Sequence, residues 1–369
     1  MALHLGRAQR QTRPLPIESA PEARGEIAIA VDTPTPEFPA PLQVLQLAFG
    51  FQVSKALYVL AKLGIPDLIA AGVSTSSELA ARTGTVPDRL HRVLRTLSGF
   101  GIVNGAEDDV WSLTTLGETL RSDVPGSVRQ MTIMSNEETY DAFSRLLDAV
   151  RSERPAFDLV FNTDFFGHLA THPESQATFN AAMGNLVRQS HAAAVATYDF
   201  GRIRSLVDVG GGSGALAVSI LERYPELTAT VFDLPQVVEE ARTVIEAAGL
   251  ADRATIAAGD FFEAVPAGAE AYILSAVLHD WDDDEATAIL RTVRRAIPNN
   301  GRLLLVEFVL PSGDEPHLSK LLDLTMLGVL KGRERSENEF ADLFARSGFK
   351  LERVFKTPAP VSVVDAAPT

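Results

Sequence analysis

The sequence predicts an α/β fold, a doubly wound seven-stranded sheet preceded by a smaller α-helical domain of winged-helix shape. Three observations carry this. Strand-like and helix-like patterns alternate after Arg204, a glycine-rich turn follows the first of those strands, and two capped helices with a hairpin lie between Ser74 and Gly117. At 369 residues and 46% apolar content the chain exceeds one comfortable core and suits two.

The first 40 residues hold Pro14, Pro16, Pro21, Pro34, Pro36 and Pro39 without a helical or strand period, and read as a flexible tail. Residues 41–125 read as the winged-helix domain. Leu42, Leu45, Phe49, Val53, Leu57 and Leu60 recur at spacings of three and four, the stripe of an amphipathic helix. Thr75-Ser76-Ser77-Glu78 resembles a capping box opening a helix that stops at Gly84, and Pro87 starts a second that Gly99 and Gly101 close. Ile102-Val103, an acidic turn at Glu107-Asp108-Asp109, and Val110-Trp111-Ser112-Leu113 then make a hairpin.

Residues 126–199 look helical and concentrate large apolar side chains. Most read as core, while Met134, Phe157, Phe165, Phe166 and Met183 are candidate walls of an acceptor cavity. Residues 200–369 read as the doubly wound α/β domain. Its strands are expected at Leu206–Val209, Thr228–Phe232, Ala254–Ala257, Ala271–Ser275, Leu303–Val309, Phe349–Phe355 and Val361–Val364, the last two pairing antiparallel across a short turn.

Composition excludes several functions. With no cysteine there is no disulfide, thiolate zinc site or cysteine nucleophile, which fits a reducing cytoplasm. The charge of −15, from 48 acids against 33 Lys and Arg, opposes nucleic-acid binding, and the wing that a DNA-binding regulator would use is acidic. No run approaches the ~18 uncharged apolar residues of a membrane helix, and no signal peptide is visible, so a soluble protein is expected.

Val207-Asp208-Val209-Gly210-Gly211-Gly212-Ser213-Gly214-Ala215 sets glycines between a strand and a helix, where backbone can approach a nucleotide closely. Gly210-x-Gly212-x-x-Ala215 also satisfies the dinucleotide fingerprint, so the loop alone leaves NAD open. Asp233 ends the next strand, where an acid can accept both ribose hydroxyls of either cofactor. Gly259-Asp260 after the third strand, the closing antiparallel pair, and the lack of basic residues near the loop favour the sulfonium of S-adenosyl-L-methionine over a pyrophosphate.

Leu206 to Gly214, Phe232-Asp233-Leu234-Pro235, Gly259-Asp260-Phe261-Phe262, His279-Asp280-Trp281, Val306-Glu307 and Gly332-Arg333-Glu334-Arg335-Ser336 resemble, in order, the motifs of S-adenosylmethionine-dependent small-molecule O-methyltransferases of the caffeate and hydroxyneurosporene type, including bacterial enzymes that decorate natural products. The resemblance spans about residues 41–365. It implies a Rossmann-like catalytic domain, an N-terminal dimerisation domain, a homodimer, no metal, and a small aromatic or apolar hydroxyl compound as acceptor. Carried over by position, Asp208, Gly210, Gly212, Gly214, Asp233, Leu234, Gly259, Asp260 and Phe261 bind the cofactor, as does Ser275, where plant members commonly carry a lysine. His279 is the base, flanked by Glu307 and Glu334. Asp280 and Met326 join the acceptor walls.

The residues support this chemistry independently in part. His279 follows a strand at its carboxyl end, where open α/β sheets place ligands, and an imidazole is neutral often enough near pH 7 to take a phenolic proton. Glu307, amid apolar neighbours, needs a partner, and an imidazole N–H would serve. Glu334 stands beside Lys331, Arg333 and Arg335, which by themselves suggest a surface ion pair. The remaining alternative within the fold is a cofactor-binding enzyme diverted to hydroxylation or decarboxylation.

Overall fold

The computed structural model describes residues 39–369, so the expected Pro-rich tail lies outside it except for Pro39 and Ala40, the latter already helical. Helices Ala40–Ala48 and Gly50–Leu63 run on from one another through Phe49. Together they form 24 residues in which an 18-residue window reaches a mean hydropathy of 1.4, enough to cross a membrane by length and composition, although Lys55 and Lys62 keep the stretch from being the uncharged run the sequence reading looked for. The polar positions in its first half are uncharged glutamines, so they interrupt the run without lowering its mean much. Leu42, Val44, Leu45, Leu47, Phe49 and Phe51 are exposed on this single chain. The C-terminal end buries Leu60 and Ala61 instead, joining Ile65, Leu79, Leu90, Leu94 and Trp111 in a small separate core.

That core is built as the sequence reads. Thr75 and Glu78 form the capping box of helix Ser76–Thr83, which ends at a left-handed Gly84, and Pro87 opens helix Pro87–Ser98. Strands β1 (Val103–Asn104) and β2 (Ser112–Leu113) pair antiparallel as the wing. Short helices follow between Arg129 and Thr171, then a 25-residue helix, Pro173–Thr197.

The main sheet consists of β3 (Ser205–Val209), β4 (Thr228–Asp233), β5 (Ala254–Ala258), β6 (Ala271–Ser275), β7 (Arg302–Glu307), β10 (Phe349–Lys356) and β11 (Ser362–Pro368), with β8 (Val309–Leu310) and β9 (Arg335–Ser336) set apart as a parallel pair. The order is β10-β11-β7-β6-β3-β4-β5. β3 to β7 run parallel, and β11 is antiparallel to both β7 and β10. Successive residues of a strand face opposite sides, so Leu206, Ile273 and Leu304 enter one core layer while Val207, Tyr272, Leu274 and Leu305 enter the other. Helices cover both sides, which is why these strands are continuously apolar rather than alternating.

Two boundaries differ from the sequence reading. The strand expected over Leu303–Val309 stops at Glu307, and β8 leaves the sheet to pair with β9, a two-residue ladder too short to show a period. The last strand extends past Val364 to Pro368, its backbone ladder with β10 continuing to Phe349 opposite Pro368. β6 ends at Ser275 as expected; beyond it Ala276 takes φ 51°, and Leu278–Asp280 form a 3₁₀ turn.

Candidate active site

The chain winds from β3 outward to β4 and β5, then crosses back to β6 and β7 on the other side. The C-terminal ends of β3 and β6 therefore border the switch-point crevice, where open α/β sheets hold ligands. Each end carries a tight backbone device. Gly210, Gly212 and Gly214 all adopt positive φ, at 70°, 55° and 74°. A Cβ on Gly210 would lie 2.8 Å from Val277 Cγ2, so the glycine loop and the turn carrying His279 pack directly against each other.

Asp233 closes β4 with both carboxylate oxygens engaged, accepting from Gly212 N at 2.8 Å and Leu234 N at 2.7 Å. Asp260 is exposed and accepts from Phe262 N at 2.8 Å. Leu234 is 40% exposed beside it, and Phe261 stands edge-on to Trp281, with ring centroids 6.0 Å apart. Gly259 lets the chain pass over the Phe232 ring, where a Cβ would come within 2.7 Å. Asp208 is 1% exposed beneath Gly211, with burial and then the Asp233 charge pushing its carboxyl up to about 7. Ser275 is half-buried at the end of β6, with its Oγ 3.0 Å from His191 Nε2.

Across the crevice His279, Glu307 and Glu334 converge from segments 28 and 55 residues from the histidine. Glu334, not Glu307, holds the imidazole: Nδ1 lies 3.1 Å from Glu334 Oε1 and 3.9 Å from Glu307 Oε2. Glu307 Oε1 is taken by the backbone N–H groups of Val277 and Leu278, at 3.1 and 2.9 Å, which corrects the pairing inferred from sequence. Glu334 is 1% exposed, so the surface ion pair its basic neighbours suggested does not form; Arg333 and Arg335 turn to Asp283 and Glu339. Asp280 Oδ1 stands 3.5 Å from the other imidazole nitrogen, Nε2. Burial alone would lower the imidazole pKa, but the charges of Glu307 and Asp280, with the hydrogen bond and charge of Glu334, raise it to about 10. Burial in turn pushes Glu307 up to about 7 against the pull of His279. These groups thus hold a proton in common. Their ligand atoms, within 4.8 Å of one another, are also near enough to share a cation.

The turn itself is clamped by the segment after helix Leu318–Val329. Arg333 N donates to His279 O at 2.8 Å. The Arg335 guanidinium, 1% exposed, donates to Leu278 O and Trp281 O at 2.9 Å each and to Asp283 Oδ1 at 3.0 Å. Asp323 Oδ1 accepts from Glu334 N at 3.0 Å, fixing the carboxylate's own backbone. Sequence reasoning gave Arg335 and Asp323 no part in the site. An arginine in a basic loop carries no signal of burial, and Asp323 is one of several polar residues on a largely apolar helix.

Of the expected acceptor walls, Phe157 is wholly buried and packs on Phe161 and Phe165, with centroids 4.4 and 5.3 Å away, so it is core rather than wall. Phe165 is 7% exposed in the same cluster, whereas Phe166 is 49% exposed. Met134, Met183 and Met326 are half-buried on three different helices.

A glycine loop and an acid at the switch point, facing a largely buried imidazole among carboxylates, give the crevice the character of a nucleoside-cofactor site. The O-methyltransferase domain matches residues 143–350, and the O-methyltransferase dimerisation domain matches 45–123. The phenazine O-methyltransferase of Lysobacter antibioticus is 44% identical over 325 residues, covering 88% of this chain and 95% of that one. The 8-amino-8-demethylriboflavin N,N-dimethyltransferase of Streptomyces davaonensis is 35% identical, covering 86% and 93%. The solved structure of a methyltransferase of calicheamicin biosynthesis, with S-adenosylhomocysteine bound, superposes at TM-score 0.82 and 32% identity, covering 89% of this chain and 98% of that one. The chain belongs to the O-methyltransferase family, and its cofactor is S-adenosylmethionine. The dinucleotide alternative left open by the loop spacing is thereby set aside.

Proposed function

We propose that the enzyme methylates a phenolic hydroxyl of a small natural product, with His279 as general base. The observation that carries this is the convergence of His279, Glu334 and Glu307 beside the glycine loop, with Glu334 engaging Nδ1 and Nε2 left to Asp280 and whatever enters beside it. Asp233 and Asp260 would take the ribose and adenine of the cofactor, with Gly210 to Gly214 giving backbone access. The bound cofactor supplies an electrophilic methyl group. The chain aligns the acceptor oxygen with that methyl, excludes water and receives the proton at Nε2; alignment alone can be worth roughly 7–11 kcal/mol. Phe166, Met134, Met183, Met326 and Asp280 are the proposed acceptor contacts. The relative that dimethylates an amine favours a second reading, a nitrogen acceptor that needs its proton removed at the same imidazole.

Calorimetric titration with S-adenosylhomocysteine tests the cofactor half. Asp233→Ala should weaken binding about 10- to 100-fold, the worth of hydrogen bonds to a charged group; unchanged affinity would remove Asp233 from the site. Screening phenols and aromatic amines for methyl transfer decides between the acceptors. The pH profile tests the base. An imidazole raised by its carboxylates is free only at higher pH, so the ascending limb of kcat/KM should lie above the ordinary histidine value of about 6.5. Glu307→Gln keeps an oxygen for the Val277 and Leu278 amides but removes a charge, so the limb should move to lower pH. A limb that stays put would show that His279 is not the titrating base.

We also infer a homodimer that covers the exposed apolar face of Ala40–Gly50, within and beside the matched dimerisation domain. The lack of cysteine fits a cytoplasmic location.

A further inference from the structure

We propose that His191 is a positioning residue of the cofactor site, donating from Nε2 to Ser275 Oγ so that the serine hydroxyl points its proton into the crevice as a donor to an acceptor atom of S-adenosylmethionine. This rests on the reading that Ser275 meets the cofactor.

Ser275 is the last residue of β6, half-buried at the rim that faces the glycine loop. Among the described residues His191 is the one hydrogen-bond partner of its hydroxyl, at 3.0 Å. His191 lies on helix Pro173–Thr197, 6% exposed, and its Nδ1 is buried without a partner. Burial pushes the imidazole down to about 4, so it stays neutral and carries a single N–H. Two tautomers are then available. With the proton on Nδ1, a donor would be buried with nothing to receive it. With the proton on Nε2, the stranded atom is an acceptor lone pair, the more tolerable of the two defects. The Nε2 tautomer therefore occupies a lone pair of Ser275 Oγ and leaves the hydroxyl hydrogen unused. A serine hydroxyl is otherwise a free rotor that can offer either a proton or a lone pair. Here it is committed to donating, which suits a ring nitrogen, a ribose oxygen or a carboxylate of the cofactor. His191 need not touch the cofactor to do this.

The test is calorimetric titration with S-adenosylhomocysteine on the full chain and on Ser275→Ala, His191→Leu, His191→Gln and the double variant Ser275→Ala/His191→Leu, with thermal unfolding of each. The expected result is a loss of about 3- to 10-fold for Ser275→Ala, the range of a neutral hydrogen bond. His191→Leu should lose a similar factor, the double variant should lose no more than Ser275→Ala alone, and His191→Gln, whose amide N–H₂ can reach the Nε2 position, should recover most of the affinity. If Ser275→Ala binds as the wild type does, Ser275 does not meet the cofactor and the underlying reading fails. If Ser275→Ala is weakened but His191→Leu is neutral or additive with it, Ser275 keeps its role and His191 is only packing. Nitrogen chemical shifts of His191 in the wild type give an answer independent of any variant's folding: an Nε2–H imidazole is expected, and an Nδ1–H tautomer overturns the proposal.

Discussion

His279→Gln should lower kcat for methyl transfer about 10²- to 10⁴-fold, the usual worth of a positioned general base, while S-adenosylhomocysteine binds within about twofold of the wild type. Glutamine is chosen because its amide can still meet Glu334, so the buried carboxylate keeps a partner and the variant does not fail merely by stranding a charge. The proposed cofactor contacts on the glycine loop and at the ends of β4 and β5 lie on separate segments from this side chain. The effect should therefore appear in kcat and in its pH dependence rather than in cofactor affinity. Some rate must survive, because alignment needs no proton transfer. A loss under about tenfold at neutral pH would mean that alignment carries the reaction and that acceptors enter already ionised.

Gly332→Ala should be nearly as damaging without touching a reacting group. A Cβ at this position would sit 1.8 Å from His279 O and 2.5 Å from the Asp280 carbonyl carbon, both of them backbone atoms with no flexible end to swing aside. The turn must move, and with it the Arg333 N–H to His279 O bond at 2.8 Å and the Arg335 bonds to Leu278 O and Trp281 O. Displacing a catalytic side chain by about 1 Å can cost about 10²-fold, so kcat/KM should fall by at least that factor. Overpacking of this kind typically costs 1–3 kcal/mol, which thermal unfolding would register as a lower Tm. Activity within a few-fold of wild type would show that the clamp tolerates slack and that the position of His279 is set elsewhere, by Glu334 alone.

The elements of the fold were largely legible because each announces itself locally. The Thr75–Glu78 capping box, Gly84, Pro87 and the strand at Ser205–Val209 stand where their residue types require. The approach of His279, Glu307 and Glu334 to one another was legible in the sequence, but their pairing was not. That Glu334 rather than Glu307 holds His279 depends on β8 leaving the sheet to meet β9, an event written in two residues on each side. Burial was misread for the same reason. Glu334 lies among three basic residues in sequence, and only the turning of Arg333 and Arg335 toward Asp283 and Glu339 lets it sink. Phe157 and Phe166 look alike in sequence, yet one is sealed in a ring of aromatics and the other is open, a distinction that only the packing of distant helices makes.

The clamp on the His279 turn is made of backbone atoms, one buried guanidinium and the carboxylates of Asp283 and Glu307; apart from Asp323, and from Asp280 on the turn itself, it draws nothing from the segments that bear the proposed acceptor contacts. Evolution is thereby given two nearly independent registers. On the proposed reading, mutations on helices such as Arg129–Met134, Phe165–Thr171 and Pro173–Thr197 can reshape what is admitted without disturbing the atoms assigned to the proton. A lineage built this way can acquire new acceptors by gradual drift of its walls, one tolerated substitution at a time, without passing through inactive ancestors.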